Sequence, residues 1–368
     1  MASDKELIDC LRLINSENVG PVTFYKLVKE YGSIPAALEA LPSALKIQPC
    51  SKADAEAELE RTQSLGVQII TYRDSEYPAL LKQLNDKPPL LYVLGNARLL
   101  NLPLSISIVG ARNATVSGRK TASKIAHDLT NNKILVISGM ARGIDSAAHK
   151  GAMYACEQQG STVAVLGTGV DIPYPKENIA LYRQIAEQGA VISEFPLGTL
   201  PQPANFPRRN RIVAGLSCGT LVVEASLNSG SLITARLALE QGRDIFAVPG
   251  SPQDFRSLGP NKLIKDGAVL VESADDILET LSQTHSVQLT EYIDKLQKNA
   301  DIPEEETEEE DLVNNFCLTD YISYDGVYVD ELIRITGMSV SELSPALLEL
   351  ELNGKIERQP GNKVALIK

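Results

Sequence analysis

The segment Asn205-Phe-Pro-Arg-Arg-Asn-Arg211 sets three arginines and two asparagines around one aromatic, and no acidic residue occurs between Glu194 and Glu224. Guanidinium forks match phosphate oxygens, and an aromatic face beside them takes a stacked base, the usual way to hold a single strand. The ring of Phe206 could equally belong to a core, and the spacing does not choose. Four further segments combine glycine, small hydroxyls and, in two cases, arginine: Gly110-Ala-Arg112 running to Ser117-Gly-Arg-Lys120, Ser138-Gly139-Met-Ala-Arg142-Gly-Ile-Asp145, Ser226-Leu-Asn-Ser229-Gly230-Ser231, and Pro249-Gly-Ser251. Glycines let backbone amides approach a ligand, and a helix start offers unpaired N–H groups to an anion. Ser231 also reads as a plain helix cap. Several such segments together suggest a polymer of phosphates.

Other motifs fail on context. Gly215-Leu-Ser217-Cys-Gly219 has the spacing of a nucleophile elbow, which requires strand, turn, then helix; here a helical pattern precedes it and a strand follows. Gly167-Thr-Gly169-Val-Asp-Ile172 lacks the third glycine of a dinucleotide fingerprint. Gly118-Arg-Lys120-Thr121 resembles a phosphate-binding loop, but Asn113 stands where its first glycine belongs and the lysine is one place late. The three histidines have no metal-ligand spacing, so no metal is expected.

The elements that must position the surviving segments are legible as buried-strand runs: Ile106–Val109, Ile134–Ser138, Thr162–Leu166, Ala190–Glu194, Thr220–Glu224 and Ile245–Val248. Helix-length stretches separate them at about 117–131, 144–159, 177–188, 208–217 and 230–241, with 205–211 read as a loop. Apolar strands alternating with helices predict a parallel sheet covered on both faces, whose ligands sit beyond the strands' carboxyl ends. Leu65–Tyr72, Leu80–Leu84 and Leu90–Leu94 read as a further βαβ-like piece. Residues 1–65 read as short helices around Val19-Gly20-Pro21, either a helix-hairpin-helix module or a plain helical hairpin. Residues 316–368 outline a winged helix: Val329–Ile335, a turn at Thr336–Ser339, Val340–Leu352, and a hairpin through Pro360-Gly361. The expected domains are thus 1–65, 66–281, an acidic linker at 282–315, and 316–368.

Charge is unevenly divided. The 368 residues hold 35 Lys and Arg against 47 Asp and Glu, a net of −12. Residues 282–368 hold 7 against 18, so they carry −11 and the remainder only −1. Anionic partners therefore stay available to the first 281 residues, because binding follows local potential. Five scattered cysteines, no apolar run long enough to span a bilayer, and no basic-then-apolar leader predict a cytoplasmic protein.

The segments Ile108-Val-Gly-Ala-Arg112, Ser138 to Asp145, Ala164 to Asp171 with Tyr174-Pro-Lys176, Ser193-Glu-Phe-Pro196, Phe206 to Arg211, Ser229 to Arg236 and Ala247 to Ser251 together resemble the DNA-processing protein A family (DprA, also called Smf). The likeness runs over about 70–285. The helical start is similar to that family's sterile-alpha-motif-like domain, and the end to its optional winged-helix domain. One departure is mild: Met140 stands where relatives carry leucine.

The resemblance implies an extended Rossmann fold that binds single-stranded DNA as a homodimer and helps load the RecA recombinase in natural transformation, without cofactor or catalysis. Arg112, Arg142, Lys176, Arg208, Arg209 and Arg211 are the expected DNA-binding cations. Gly139, Ser229, Gly230 and Ser231 would supply the backbone cradle, Phe206 a stacking face and Asn210 a hydrogen bond. The homodimer is expected around Gly259–Val271, with Leu263, Ile264 and Leu270 as contacts. The alternative is a nucleotide-processing enzyme like the lysine-decarboxylase-like phosphoribohydrolases, but Ser229 to Arg236 lacks the glutamate of their Pro-Gly-Gly-x-Gly-Thr-x-x-Glu motif. A regulator using the winged helix is disfavoured, since Val340–Leu352 carries Glu342, Glu349 and Glu351 and no cation.

Overall fold

The computed structural model describes residues 4–155 and 162–284, and in the C-terminal part 327–329, 332, 343, 347, 350–351, 355–359 and 363–366. Two compact units divide the chain, Met1–Asp301 and Ile302–Lys368. The acidic linker lies almost entirely outside the described residues, as do most of the two C-terminal helices.

Four helices open the first unit: α1 (Asp4–Ile14), α2 (Pro21–Tyr31), α3 (Ile34–Ala44) and α4 (Lys52–Ser64). Ser33 and Ser51 cap α3 and α4 by accepting from Ala36 and Asp54 amides. Their apolar faces do not close on themselves. Leu11, Phe24 and Leu38 join one buried cluster with Tyr92, Val191 and Met140, so the helices form a layer on the sheet.

The sheet has nine strands: β1 (Gln68–Thr71), β2 (Leu90–Gly95), β3 (Ser105–Val109), β4 (Leu135–Ser138), β5 (Thr162–Val165), β6 (Ala190–Ser193), β7 (Gly219–Val222), β8 (Asp244–Ala247) and β9 (Val269–Leu270), in the order β1-β2-β6-β5-β4-β3-β7-β8-β9. Every pairing from β6 to β9 is parallel. The expected βαβ-like piece is corrected: β1 pairs β2 antiparallel, and β2 pairs β6 antiparallel, with Tyr92 opposite Ser193. The connection between β1 and β2 holds only the four-residue helix α5 (Ala79–Lys82), so no full crossover helix carries the chain back across the sheet.

The covering helices are α6 (Val116–Asn131), α7 (Ile144–Met153), α8 (Ile179–Gln188), α9 (Asn205–Gly215), α10 (Gly230–Glu240), α11 (Leu258–Lys265) and α12 (Ala274–Thr284). Helix α9 is seated on β3 by two buried serines: Ser107 donates to the Val213 carbonyl at 2.5 Å, and Ser105 to the Leu216 carbonyl at 2.8 Å. Ser217, the would-be nucleophile, is buried and donates to the Ala214 carbonyl at 3.0 Å.

In the second unit β10 (Val327–Tyr328), β11 (Ile356–Gln359) and β12 (Lys363–Leu366) form an antiparallel sheet in the order β10-β12-β11. The hairpin through Pro360-Gly361 is the β11–β12 pair. Leu343 and Leu347 are helical and buried against Ile356 and Val364, with Leu350 partly buried beside them, the i, i+4, i+7 stripe of a helix laid on a sheet.

Candidate nucleic-acid interface

Strand β3 has β4 on one side and β7 on the other, so the chain order reverses around it. A cavity of about 420 Å³ opens there, beyond the carboxyl ends of the strands. Gly110 and Arg112 bound it after β3, Gly139 and Ala141 after β4, and Ser229, Gly230 and Ser231 at the start of α10. A further wall is α9. The expected loop at 205–211 is therefore corrected to the opening turns of a helix, with Pro207 in the first turn where a missing N–H costs nothing. Phe206, Arg209, Asn210 and Val213 stand at i, i+3, i+4 and i+7 and line the cavity together.

Phe206 is half-buried at the rim. Tyr174 packs on it with ring centroids 5.4 Å apart, and the exposed Arg112 guanidinium lies 5.7 Å from its centroid. Gly167 makes room for the ring, since a Cβ there would come to 3.0 Å from it. Tyr174 is a cavity residue to which the sequence reading gave no role. Its signal was an aromatic beside proline in a strand-end loop. Lys176 is exposed in the same loop but does not line the cavity. Arg142 is exposed near the rim and lies 3.5 Å from Glu177, an open pair of little energetic weight.

Two of the expected amide cradles are filled by the chain itself. Ahead of α6 the Glu224 carboxylate accepts from the Thr115 amide at 2.9 Å and from its hydroxyl, while Thr115 caps the Gly118 amide. Ahead of α7 the buried Asp145 carboxylate accepts from Gly139 N at 3.2 Å and Ala141 N at 3.3 Å. The Gly139 amide is thus not open to a ligand. At α10 the only side-chain cap among the described residues is the Ser229 hydroxyl, which accepts from Ser231 N at 3.3 Å, and a Cβ at Gly230 would meet nothing within 4 Å. Asn210 donates to the Gly230 carbonyl at 3.4 Å.

The three arginines of α9 part company, because Arg209 points to a different side of the helix from Arg208 and Arg211. Arg209 is buried under the cavity floor. It donates to the Gly139 carbonyl at 2.5 Å and to the Val165 carbonyl, tying the ends of β4 and β5. A Cβ on Gly139 would come within 2.6 Å of this guanidinium, so the glycine is needed for room. Burial lowers the Arg209 pKa to about 10, opposed by Asp145, and raises that of Asp145, opposed by Arg209. His149, behind them, is held uncharged by burial with its pKa lowered to about 3. Arg211 faces the other way, engaged by Glu194 and 3.5 Å from Asp86. Its expected phosphate contact is corrected: a buried guanidinium already between two carboxylates neutralises acid rather than offering charge. Arg208 is exposed on that same side, 5.1 Å from the Phe195 ring centroid.

Among the described residues no cluster of three or more His, Cys, Asp or Glu could hold a metal ion, and no helix is long and apolar enough to cross a membrane.

A doubly wound sheet with a glycine-, serine- and arginine-lined switch point, layered with N-terminal helices, defines an extended Rossmann-type protein. Residues 68–282 match the family model of DNA recombination-mediator protein A, residues 4–60 that of the DprA-like N-terminal HHH domain, and residues 301–362 that of the DprA winged helix domain. The chain belongs to the DNA recombination-mediator protein A family. It is 32% identical to Protein Smf of Synechocystis over 386 residues, covering 94% of this chain and 95% of that one. It is 45% identical to DNA processing protein DprA of Streptococcus pneumoniae over 205 residues, 56% of this chain and 71% of that one. The X-ray structure of the S. pneumoniae protein superposes with a TM-score of 0.64 and 32% identity over 76% of this chain and 98% of that chain. DNA processing protein A of Helicobacter pylori, whose structure describes a single-stranded DNA binding mode, superposes at 0.53 with 29% identity over 59% and 97%.

Proposed function

We propose that this chain binds single-stranded DNA along the carboxyl edge of its sheet and acts in the cytoplasm as a recombination mediator that helps load RecA, in natural transformation and homologous recombination. The observation that carries the reading is the aromatic rim of Phe206 and Tyr174 beside the exposed Arg112, facing the open start of α10. A base fits the rings, and its phosphates fit the guanidinium and amides. The H. pylori relative supports the choice of single strands. Arg112 and Lys176 are the leading phosphate contacts, with Arg142 at the rim.

The test is binding of single- and double-stranded oligonucleotides across a salt series. Single strands should win, with a slope of about −0.7 per phosphate contact; salt-independent binding refutes the reading. RecA loading predicts faster filament growth on single strands when this protein is present. Binding without turnover is the proposed mode of action, so release of free base from a nucleoside monophosphate would overturn it in favour of a phosphoribohydrolase.

The same reading includes a homodimer through α11 and the edge strand β9. Leu270 is 45% exposed there, Ile264 is half-buried, and Leu263 packs partly into the chain's own core. Light scattering of a charge substitution at Leu270 tests it; a wild-type monomer at micromolar concentration would refute it.

A further inference from the structure

A second cavity of about 430 Å³ lies across α9 from the first. Its walls come from the Val19–Pro21 turn between α1 and α2, from Pro89 and Leu90 entering β2, and from Glu194–Pro196 leaving β6. Because β2 runs antiparallel to β6, the start of one strand and the end of the other meet at the carboxyl edge. Both cavities therefore open along one side of the sheet with a single helix between them.

Arg208 completes the wall. It is exposed and has no ion pair among the described residues. Its guanidinium lies 5.1 Å from the Phe195 centroid, much as Arg112 lies 5.7 Å from that of Phe206. Phe195 is buried, so it orients the guanidinium and leaves the outer face open. The acidic group on the wall, Glu194, is engaged by Arg211, which is the use the fold makes of that buried arginine, while Arg208 acts on it only through the longer-range field. At Gly20 a Cβ would meet nothing within 4 Å, so the backbone there is approachable.

We propose that this second cavity is a subsite for a further nucleotide of the same strand, with Arg208 as its phosphate contact. Phe206 and Arg208 are two residues apart and so stand about 200° apart around the start of α9, one on each flank, so a strand crossing the helix meets both. The subsite rests on the reading that the first cavity binds single-stranded DNA.

The test compares full-length wild type, Arg112→Ala and Arg208→Ala on oligothymidylates from about 4 to about 16 nucleotides, the span of known single-strand sites. Arg208→Ala should weaken the shortest oligonucleotide least, because it can seat in the first cavity alone. On the longest it should weaken binding about tenfold and flatten the salt slope by about 0.7. Arg112→Ala should weaken every length. An Arg208→Ala protein that binds all lengths normally, or loses equally at all of them, overturns the subsite while leaving the proposed function standing. If that variant does not fold, Arg208→Gln is read on the same criteria. Wild type that binds no oligonucleotide overturns the functional reading itself, and the subsite with it.

Discussion

Arg209 and Asp145 hold one residue from opposite sides: the guanidinium takes the Gly139 carbonyl at 2.5 Å, and the carboxylate takes the Gly139 amide at 3.2 Å. The two buried charges offset each other, and together they fix the turn that forms the cavity floor. Arg209 is thereby a positioning residue, while the exposed Arg112 presents charge.

Arg209→Lys keeps the charge but loses the rigid guanidinium whose Nη1 reaches two carbonyls. Its single-strand binding should weaken by about tenfold or more with the salt slope unchanged, whereas Arg112→Ala should flatten the slope by about 0.7. A flattened slope in Arg209→Lys would place its guanidinium on a phosphate instead.

Phe206→Ala should cost about 1–3 kcal/mol of single-strand binding and leave the slope intact, since stacking releases no counterions. Tyr174→Ala should show a smaller loss of the same kind. Thermal melts distinguish a role in the core, where a fall of several degrees in Phe206→Ala would mean the ring supports the fold.

His149 titrates with a definite sign. The unfolded chain protonates it near 6.5 and the folded protein only near 3, so stability is complete above 6.5 and falls as the pH drops through that window. Its contribution is up to about 1.4 kcal/mol per pH unit. The raised pKa values of Asp145 and Glu194 act oppositely, favouring the fold in acid and losing effect as pH rises. Denaturant melts of wild type and His149→Asn between pH 7 and pH 4 isolate the histidine: the variant, which retains a donor for Thr162, should lose less stability on acidification.

Gly151→Ala should destabilise without touching the interface. A Cβ there would sit 2.0 Å from the Ser123 carbonyl oxygen where α6 and α7 cross, and backbone cannot step aside cheaply. Overpacking of this kind costs about 1–3 kcal/mol, read as a lower melting temperature with normal DNA binding by the folded fraction.

Deleting residues 282–368 removes a net charge of −11. If that charge competes with DNA for the basic edge, the truncated protein should bind single strands more tightly, most at low salt where screening is weakest. Equal affinity would leave the segment a role in protein contacts, and weaker binding would make the winged helix a DNA-binding element after all.

Much of this protein was determined by short-range pattern. Apolar runs of four or five residues, three of them followed at once by glycine, specify buried parallel strands, and the loops that follow them are where the cavity lies. The helical stripe of Leu343, Leu347 and Leu350 is likewise written in spacing alone. What the tertiary structure decided depends on partners distant in the chain. Strand direction at β1 and β2 is set by which neighbour each pairs with, and both antiparallel pairings lie outside any local window. Phe206-Pro-Arg reads as a loop until Ser105 and Ser107 seat it as a helix, and only the helix turns Arg209 away from the side that Arg208 and Arg211 share. Glu224 closes the start of α6 from 109 residues away. Residue type shows that a group carries charge or an open amide; whether that group remains free for a ligand is settled by the carboxylates and carbonyls the fold brings against it, because a buried polar group takes whatever partner lies within hydrogen-bond reach.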